Sequence, residues 1–163
     1  MSRWRPPTPA SSPYITAEGY QRLESELQAL WDRRKDVTRA LTAAAAEGDR
    51  SENAEYIYRK KELREIDRRI RYLQQRMPKL KVVSKVGDKN RIFFGAIVTL
   101  ENEEGEEMTY RIVGADEIDP DKNHISIDSP MSKALLGKSQ DDEVVVKTEG
   151  KMSNYFVIAI EYI

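Results

Sequence analysis

The sequence predicts an α+β chain: an N-terminal antiparallel coiled-coil hairpin followed by a C-terminal antiparallel β domain with one short helix. Three observations predict it. Apolar residues recur at alternating steps of three and four over residues 20–44 and again over 56–77. A short polar link containing a glycine separates these runs. After residue 80 the period falls to two, with turn signals between the runs.

The first helical run is Tyr20, Leu23, Leu27, Leu30, Arg34, Val37, Leu41 and Ala44, the spacing of a coiled-coil seam. Thr16 is the expected N-cap, with Pro13 just upstream. Ala43 to Ala46 favour helix and are slim. The second run is Tyr56, Arg59, Leu63, Ile66, Ile70, Leu73 and Met77, and Pro78 marks its end. The link, Glu47 to Ser51, is short enough to force the two helices antiparallel. Each helix of roughly 30 residues would reach about 45 Å at 1.5 Å per residue.

Beyond residue 80 the expected strands are Ile92–Leu100, Met108–Val113, His124–Asp128, Glu143–Thr148 and Tyr155–Ile163. Turn signals fall at Asn102 to Gly105, Gly114 to Asn123, and Glu149-Gly150. Met131–Leu136 is a short helix, with Pro130 before it and Gly137 after it. The expected organisation is a flexible tail over 1–13, a hairpin domain over 14–80 and a β domain over 81–163.

Composition excludes several classes. There is no cysteine, hence no disulfide framework and no thiolate chemistry. No apolar run approaches the roughly 20 residues that span a bilayer. MSRWRPPTPASSP has arginines and prolines but no apolar core, unlike a secretory signal. No P-loop or dinucleotide fingerprint occurs. Asp119, Asp121 and Asn123 suggest a calcium loop, but His124 stands where glycine is needed and Pro130 where glutamate is needed. The net charge of −1 hides an asymmetry: residues 1–80 carry 17 Lys/Arg against 12 Asp/Glu, and residues 81–163 carry 10 against 16. A basic half joined to an acidic half reflects either uneven charge on two solvated surfaces or two surfaces with different partners.

The turn GDRSENAEY, Gly48 to Tyr56, holds two acids three residues apart, Asp49 and Glu52. Local rules read Asp49 as the N-cap of the second helix and Glu52 as its N3 partner, with Gly48 closing the first helix. The same two carboxylates also offer hard oxygen ligands for Mg²⁺, though too few for a self-sufficient site. They would act only within a site completed by another molecule. Ser51 and Asn53 would orient a ligand or water there. Behind the turn, residues 59–71 hold seven Lys/Arg against three Asp/Glu. Lys60, Arg64, Arg68 and Arg71 share a helix face, with Lys61 beside it. Such a stripe either solvates the helix, through pairs such as Glu65 with Arg69, or follows the phosphates of a nucleic acid.

GDRSENAEY with KKELREIDRRIRYL (Lys60–Leu73), then FFGAIVTLEN (Phe93–Asn102), YRIVGADEID (Tyr110–Asp119) and ISIDSPMSKALLGK (Ile125–Lys138), resembles the Gre transcript cleavage factor family, its GreB branch above all. The resemblance runs in order over residues 14–163. It implies an FKBP-like C-terminal domain without isomerase activity, and a monomeric cytoplasmic factor that binds bacterial RNA polymerase. The coiled coil would enter the polymerase secondary channel. Asp49 and Glu52 would there help the polymerase, the actual enzyme, to cut the 3′ end of backtracked RNA, sharing a second Mg²⁺. Lys60, Lys61, Arg64, Arg68 and Arg71 would contact RNA, and the turn Asp128, Ser129, Pro130 and Met131 would contact polymerase. The rival implication is a channel-binding regulator of initiation that does not stimulate cleavage.

Overall fold

The computed structural model describes residues 10–48 and 53–163. It forms two compact units: one takes the segment up to Ala17 together with Lys81–Ile163, the other Glu18–Leu80.

The hairpin unit consists of helix α1, Ala17–Ala45, and helix α2, Ala54–Arg76, followed by a 3₁₀ turn at Met77–Lys79 that begins where Pro78 removes a backbone donor. The expected seam is the observed one. Leu23, Val37 and Ala44 of α1 and Ile66, Ile70 and Leu73 of α2 are buried, and Leu27, Leu30 and Leu63 cover them. A two-helix unit has one seam and no second layer, so these few side chains carry most of its burial. Side-chain pairs across the helices fix the antiparallel register: Glu26 meets Arg69 at 2.6 Å, Arg33 meets Glu62 at 2.7 Å, and Arg34 meets Asp67 at 2.7 Å.

The second unit is built on a five-stranded sheet. Its strands are β3 (Ile97–Asn102), β4 (Glu107–Val113), β5 (His124–Ser126), β6 (Glu143–Thr148) and β7 (Lys151–Glu161), in the order β5-β4-β3-β7-β6. Alternation buries Val98, Leu100, Ile112, Val144, Val146 and Val157 on one face, where helix α3, Pro130–Leu135, contributes Leu135. The pairing departs from expectation at one edge, because β5 runs parallel to β4. A 3₁₀ turn at Pro120–Lys122 and a left-handed Asn123 (φ 55°) return the chain to that edge in the same direction as β4.

Two further strands escape the period-two rule. Tyr14–Ile15 (β1) pairs in parallel with Lys81–Val82 (β2), the segment that leaves the hairpin. Tyr14–Thr16 therefore belong with the sheet unit and not with the hairpin. Ser12 and Pro13, placed by expectation in a flexible tail, are held by hydrogen bonds. The Ser12 N–H donates to the Asp128 carboxylate at 2.9 Å, its hydroxyl donates to the same group, and the Pro13 carbonyl accepts from the Lys81 N–H at 2.7 Å. Residues 1–9 lie outside the described residues.

One buried carboxylate secures this segment. Glu117 accepts from the Thr16 N–H at 3.0 Å, from the Thr16 hydroxyl, and from the Gly114 N–H at 2.7 Å. Thr16 stands directly before α1, as expected of its cap, and its hydroxyl donates to Glu117. Gly114 has no alternative here, because a Cβ at that position would lie 2.0 Å from the Tyr14 carbonyl oxygen. Gly114→Ala must push Tyr14 away and should cost about 1–3 kcal/mol, the scale of a forced contact in a packed interior. In hydrogen exchange the amides of Lys81 and Val83, which donate to Pro13 and Ile15, should then exchange faster than in the parent chain.

Candidate functional site

Asp49 and Glu52 lie outside the described residues, between Gly48 and Asn53. The residues that bracket them are well determined by local chemistry. Helix α1 ends at Ala45, and the amides of Ala46 and Glu47 tighten its last turn by donating to Ala43 and Ala44 at 3.2 Å. Gly48 then takes φ 135°, a region that favours glycine.

The N-cap of α2 is Asn53, with Glu55 in the first turn. This corrects the expected cap, which placed Asp49 at N-cap and Glu52 at N3. The reason lies in the two-sided chemistry of an amide. The Asn53 Oδ1 accepts from the Tyr56 N–H at 3.0 Å, while its Nδ2 donates to the Ala44 carbonyl at 2.7 Å. One side chain thus satisfies an orphan donor at the start of α2 and a carbonyl at the end of α1. A carboxylate at this place could accept but not donate. Among the described residues, the side-chain cap of α2 is made by Asn53.

The cations over residues 59–71 of α2 divide into two sets. Arg59 is held by Glu55 at 2.8 Å and Glu62 at 3.0 Å, and Arg69 grips Glu26 through two hydrogen bonds at 2.6 and 3.0 Å. Arg59 is thus structural. Arg69 does not pair with Glu65 as its spacing suggested, because the fork-shaped contact across the helices is the stronger one. Arg33 first, and Arg59 after it, hold the Glu62 carboxyl below its ordinary range. Lys60, Lys61, Arg64, Arg68 and Arg71 form the second set: all five are exposed, and none joins an ion pair among the described residues. At 100° per residue they fall within an arc of about 100° on α2. Sequence spacing found this face. It could not separate the committed cations from the uncommitted ones, which depends on register across the hairpin.

In the sheet unit the turn Asp128–Met131 is shaped from within. Asp128 holds Ser12. The Ser129 hydroxyl caps α3 by accepting from the Ser132 N–H at 3.2 Å, and Met131 packs against the core. Pro130, at the first turn of α3, is exposed. Leu135 is core as expected, but Leu136 is exposed at the helix end.

Two measurements check this geometry. Asn53→Ala should destabilise the helices by about 1–2 kcal/mol and Asn53→Asp by less, because aspartate keeps the cap and loses only the donated bond. Thermal unfolding followed by circular dichroism separates the two. The second concerns acid. The folded pKa of Glu62 is lowered, so its contribution to stability is present above the unfolded value of about 4.3 and is lost as pH falls through the folded value. Glu62→Gln should remove that part of the acid sensitivity of the unfolding midpoint.

Among the described residues no group of three or more His, Cys, Asp or Glu side chains could hold a metal ion. Comparison with known proteins fits the whole chain. The model for "Transcription elongation factor, N-terminal" matches residues 13–82, and that for "Transcription elongation factor, GreA/GreB, C-term" matches residues 87–162. Transcription elongation factor GreB of Pseudomonas aeruginosa is 57% identical over 99% of this chain and 98% of its own length. GreB of Xanthomonas axonopodis pv. citri is 54% identical over 99% and 98%, and that of Yersinia pestis 53% identical over 94% and 91%. With both domains matched in order and relatives this similar over nearly their full length, the chain belongs to the GreA/GreB family of transcription elongation factors.

Proposed function

We propose that this chain rescues backtracked bacterial RNA polymerase by stimulating the polymerase's own cleavage of the extruded RNA. It is a helper of another enzyme's active site. The observation that carries the reading is the cap. Asn53, and not Asp49, holds the N-cap position of α2, which supports reading Asp49 and Glu52 as acids for chemistry.

The hairpin would enter the secondary channel of the polymerase with the turn leading. At 1.5 Å per residue the 29 residues of α1 extend about 44 Å, a length suited to reaching a recessed centre. Magnesium, which takes oxygen ligands, would be held there by Asp49 and Glu52 together with groups of the polymerase, and would activate the attacking water. The chain's own part is to bring two negative oxygens to the RNA and hold them in place through the Asn53 bridge. Lys60, Lys61, Arg64, Arg68 and Arg71 would hold the phosphates of the RNA 3′ segment, since no carboxylate among the described residues neutralises them. The Asp128–Met131 turn would contact polymerase, with Pro130 outermost and Asp128 and Ser129 fixing the turn. No helix among the described residues is long and apolar enough to cross a membrane. We place the factor in the cytoplasm with its polymerase, acting as a monomer.

The test uses purified polymerase stalled in a backtracked state with Mg²⁺ present. The wild-type chain should shorten the RNA. Asp49→Asn and Glu52→Gln should each slow shortening by on the order of 100-fold, the scale of losing one preorganised electrostatic contact, while binding to polymerase persists. Normal shortening by both variants overturns the assignment of the acids. Wild-type binding without shortening would instead make the chain a channel-binding regulator that does not stimulate cleavage.

A further inference from the structure

The start of α2 carries two large apolar side chains that the hairpin leaves uncovered: Ile57 is 52% exposed and Tyr58 is 60% exposed. Both lie off the seam, which takes Tyr56, Arg59 and Leu63 on this stretch. At 100° per residue Ile57 falls inside the arc of free cations, between Arg64 and Lys61, and Tyr58 stands about 60° beyond Lys61 at its margin. The Tyr58 ring is not left to swing. The Arg59 guanidinium lies 5.4 Å from its centroid and is itself fastened by Glu55 and Glu62. One face of the ring thus rests on a clamped cation.

We infer that Tyr58 is a stacking platform for a base of single-stranded RNA whose phosphates run along Lys60, Lys61, Arg64, Arg68 and Arg71. The occupant follows from charge and shape. Five cations without an ion pair among the described residues, of which Lys60 lies 5.8 Å from the Tyr56 ring centroid, call for a polyanion, and an exposed ring beside them matches how single-stranded nucleic acid is held, by phosphate pairing along a groove and base stacking on aromatic faces. A duplex would hide its bases from the ring; an extruded single strand presents them. Tyr72 does not share this role. Arg69 lies 5.3 Å from its ring centroid and is fixed by Glu26, and the residue is less exposed than Tyr58. The inference deepens the proposed function and rests on it for the identity of the RNA, the extruded 3′ segment. The base would be read by its π face, so the contact would tolerate any of the four bases.

Two arms test it. In the first, the full chain is mixed at low salt with a short single-stranded RNA carrying 2-aminopurine, whose fluorescence falls on stacking. Wild type and Tyr58→Phe should quench it. Tyr58→Leu should not, although its salt-dependent binding through the cations remains. In the second, the concentration of chain giving half-maximal shortening of backtracked RNA should rise about tenfold for Tyr58→Leu and stay unchanged for Tyr58→Phe, with the rate at saturation preserved. Circular dichroism should show α2 intact in both variants. Equal quenching by Tyr58→Leu overturns the inference, as does a Tyr58→Phe that fails like Tyr58→Leu. Equal weakening of Tyr58→Leu towards polymerase without extruded RNA would make Tyr58 a protein contact and also overturns it. If the wild type shortens no RNA, the proposed function fails, and the quenching arm alone then judges the stack.

Discussion

The amide of Asn53 is the interaction on which the site depends. A helix that stops leaves carbonyls without donors, and a helix that starts leaves N–H groups without acceptors. In a tight hairpin both kinds occur within a few residues of each other. A side chain that donates and accepts can bond to both ends, and Asn53 does so, accepting from Tyr56 and donating to the Ala44 carbonyl, which also accepts from Glu47. Ala44 is buried at the seam, where its small side chain suits the close passage of the helices. The amide holds the backbone on both sides of the turn, and the proposed function gives the carboxylates of Asp49 and Glu52 their role outside the fold.

The rest of the hairpin serves the same separation. Exposed ion pairs contribute little to stability, about 0–1 kcal/mol each. The buried seam of Leu23, Val37, Ile66, Ile70 and Leu73 therefore supplies most of what holds the helices together. What the cross-helix pairs supply is register, and they consume cations in doing so. Arg33, Arg34, Arg59 and Arg69 are spent on Glu26, Glu55, Glu62 and Asp67. The five cations left over share one face of α2. Among the described residues, a ligand contacting that face has no internal ion pair to break first.

Both helices, the five-stranded sheet and the short helix were legible because each repeats a period over enough residues to stand out. The seam positions were legible one by one, from Tyr20 to Met77. The pairing of Tyr14–Ile15 with Lys81–Val82 was not, since two residues show no period and their partners are far apart in sequence. The buried Glu117 was invisible for a related reason: nothing beside it in the chain announces the Thr16 and Gly114 donors. The helix start was misplaced by four residues because Asp49 and Asn53 are equally good caps in isolation. The deciding partner, the Ala44 carbonyl, belongs to the other helix. Asp49 and Glu52 were legible as acids at a turn, and the family they point to is the one the chain belongs to.

The most direct measurement is a Mg²⁺ titration of RNA shortening in backtracked polymerase, at saturating wild-type chain and at saturating Glu52→Gln. If the turn lends oxygens to a shared magnesium, loss of one carboxylate should move half-saturation to a distinctly higher Mg²⁺ concentration. Identical Mg²⁺ curves for the two chains would contradict a metal-holding role for these acids.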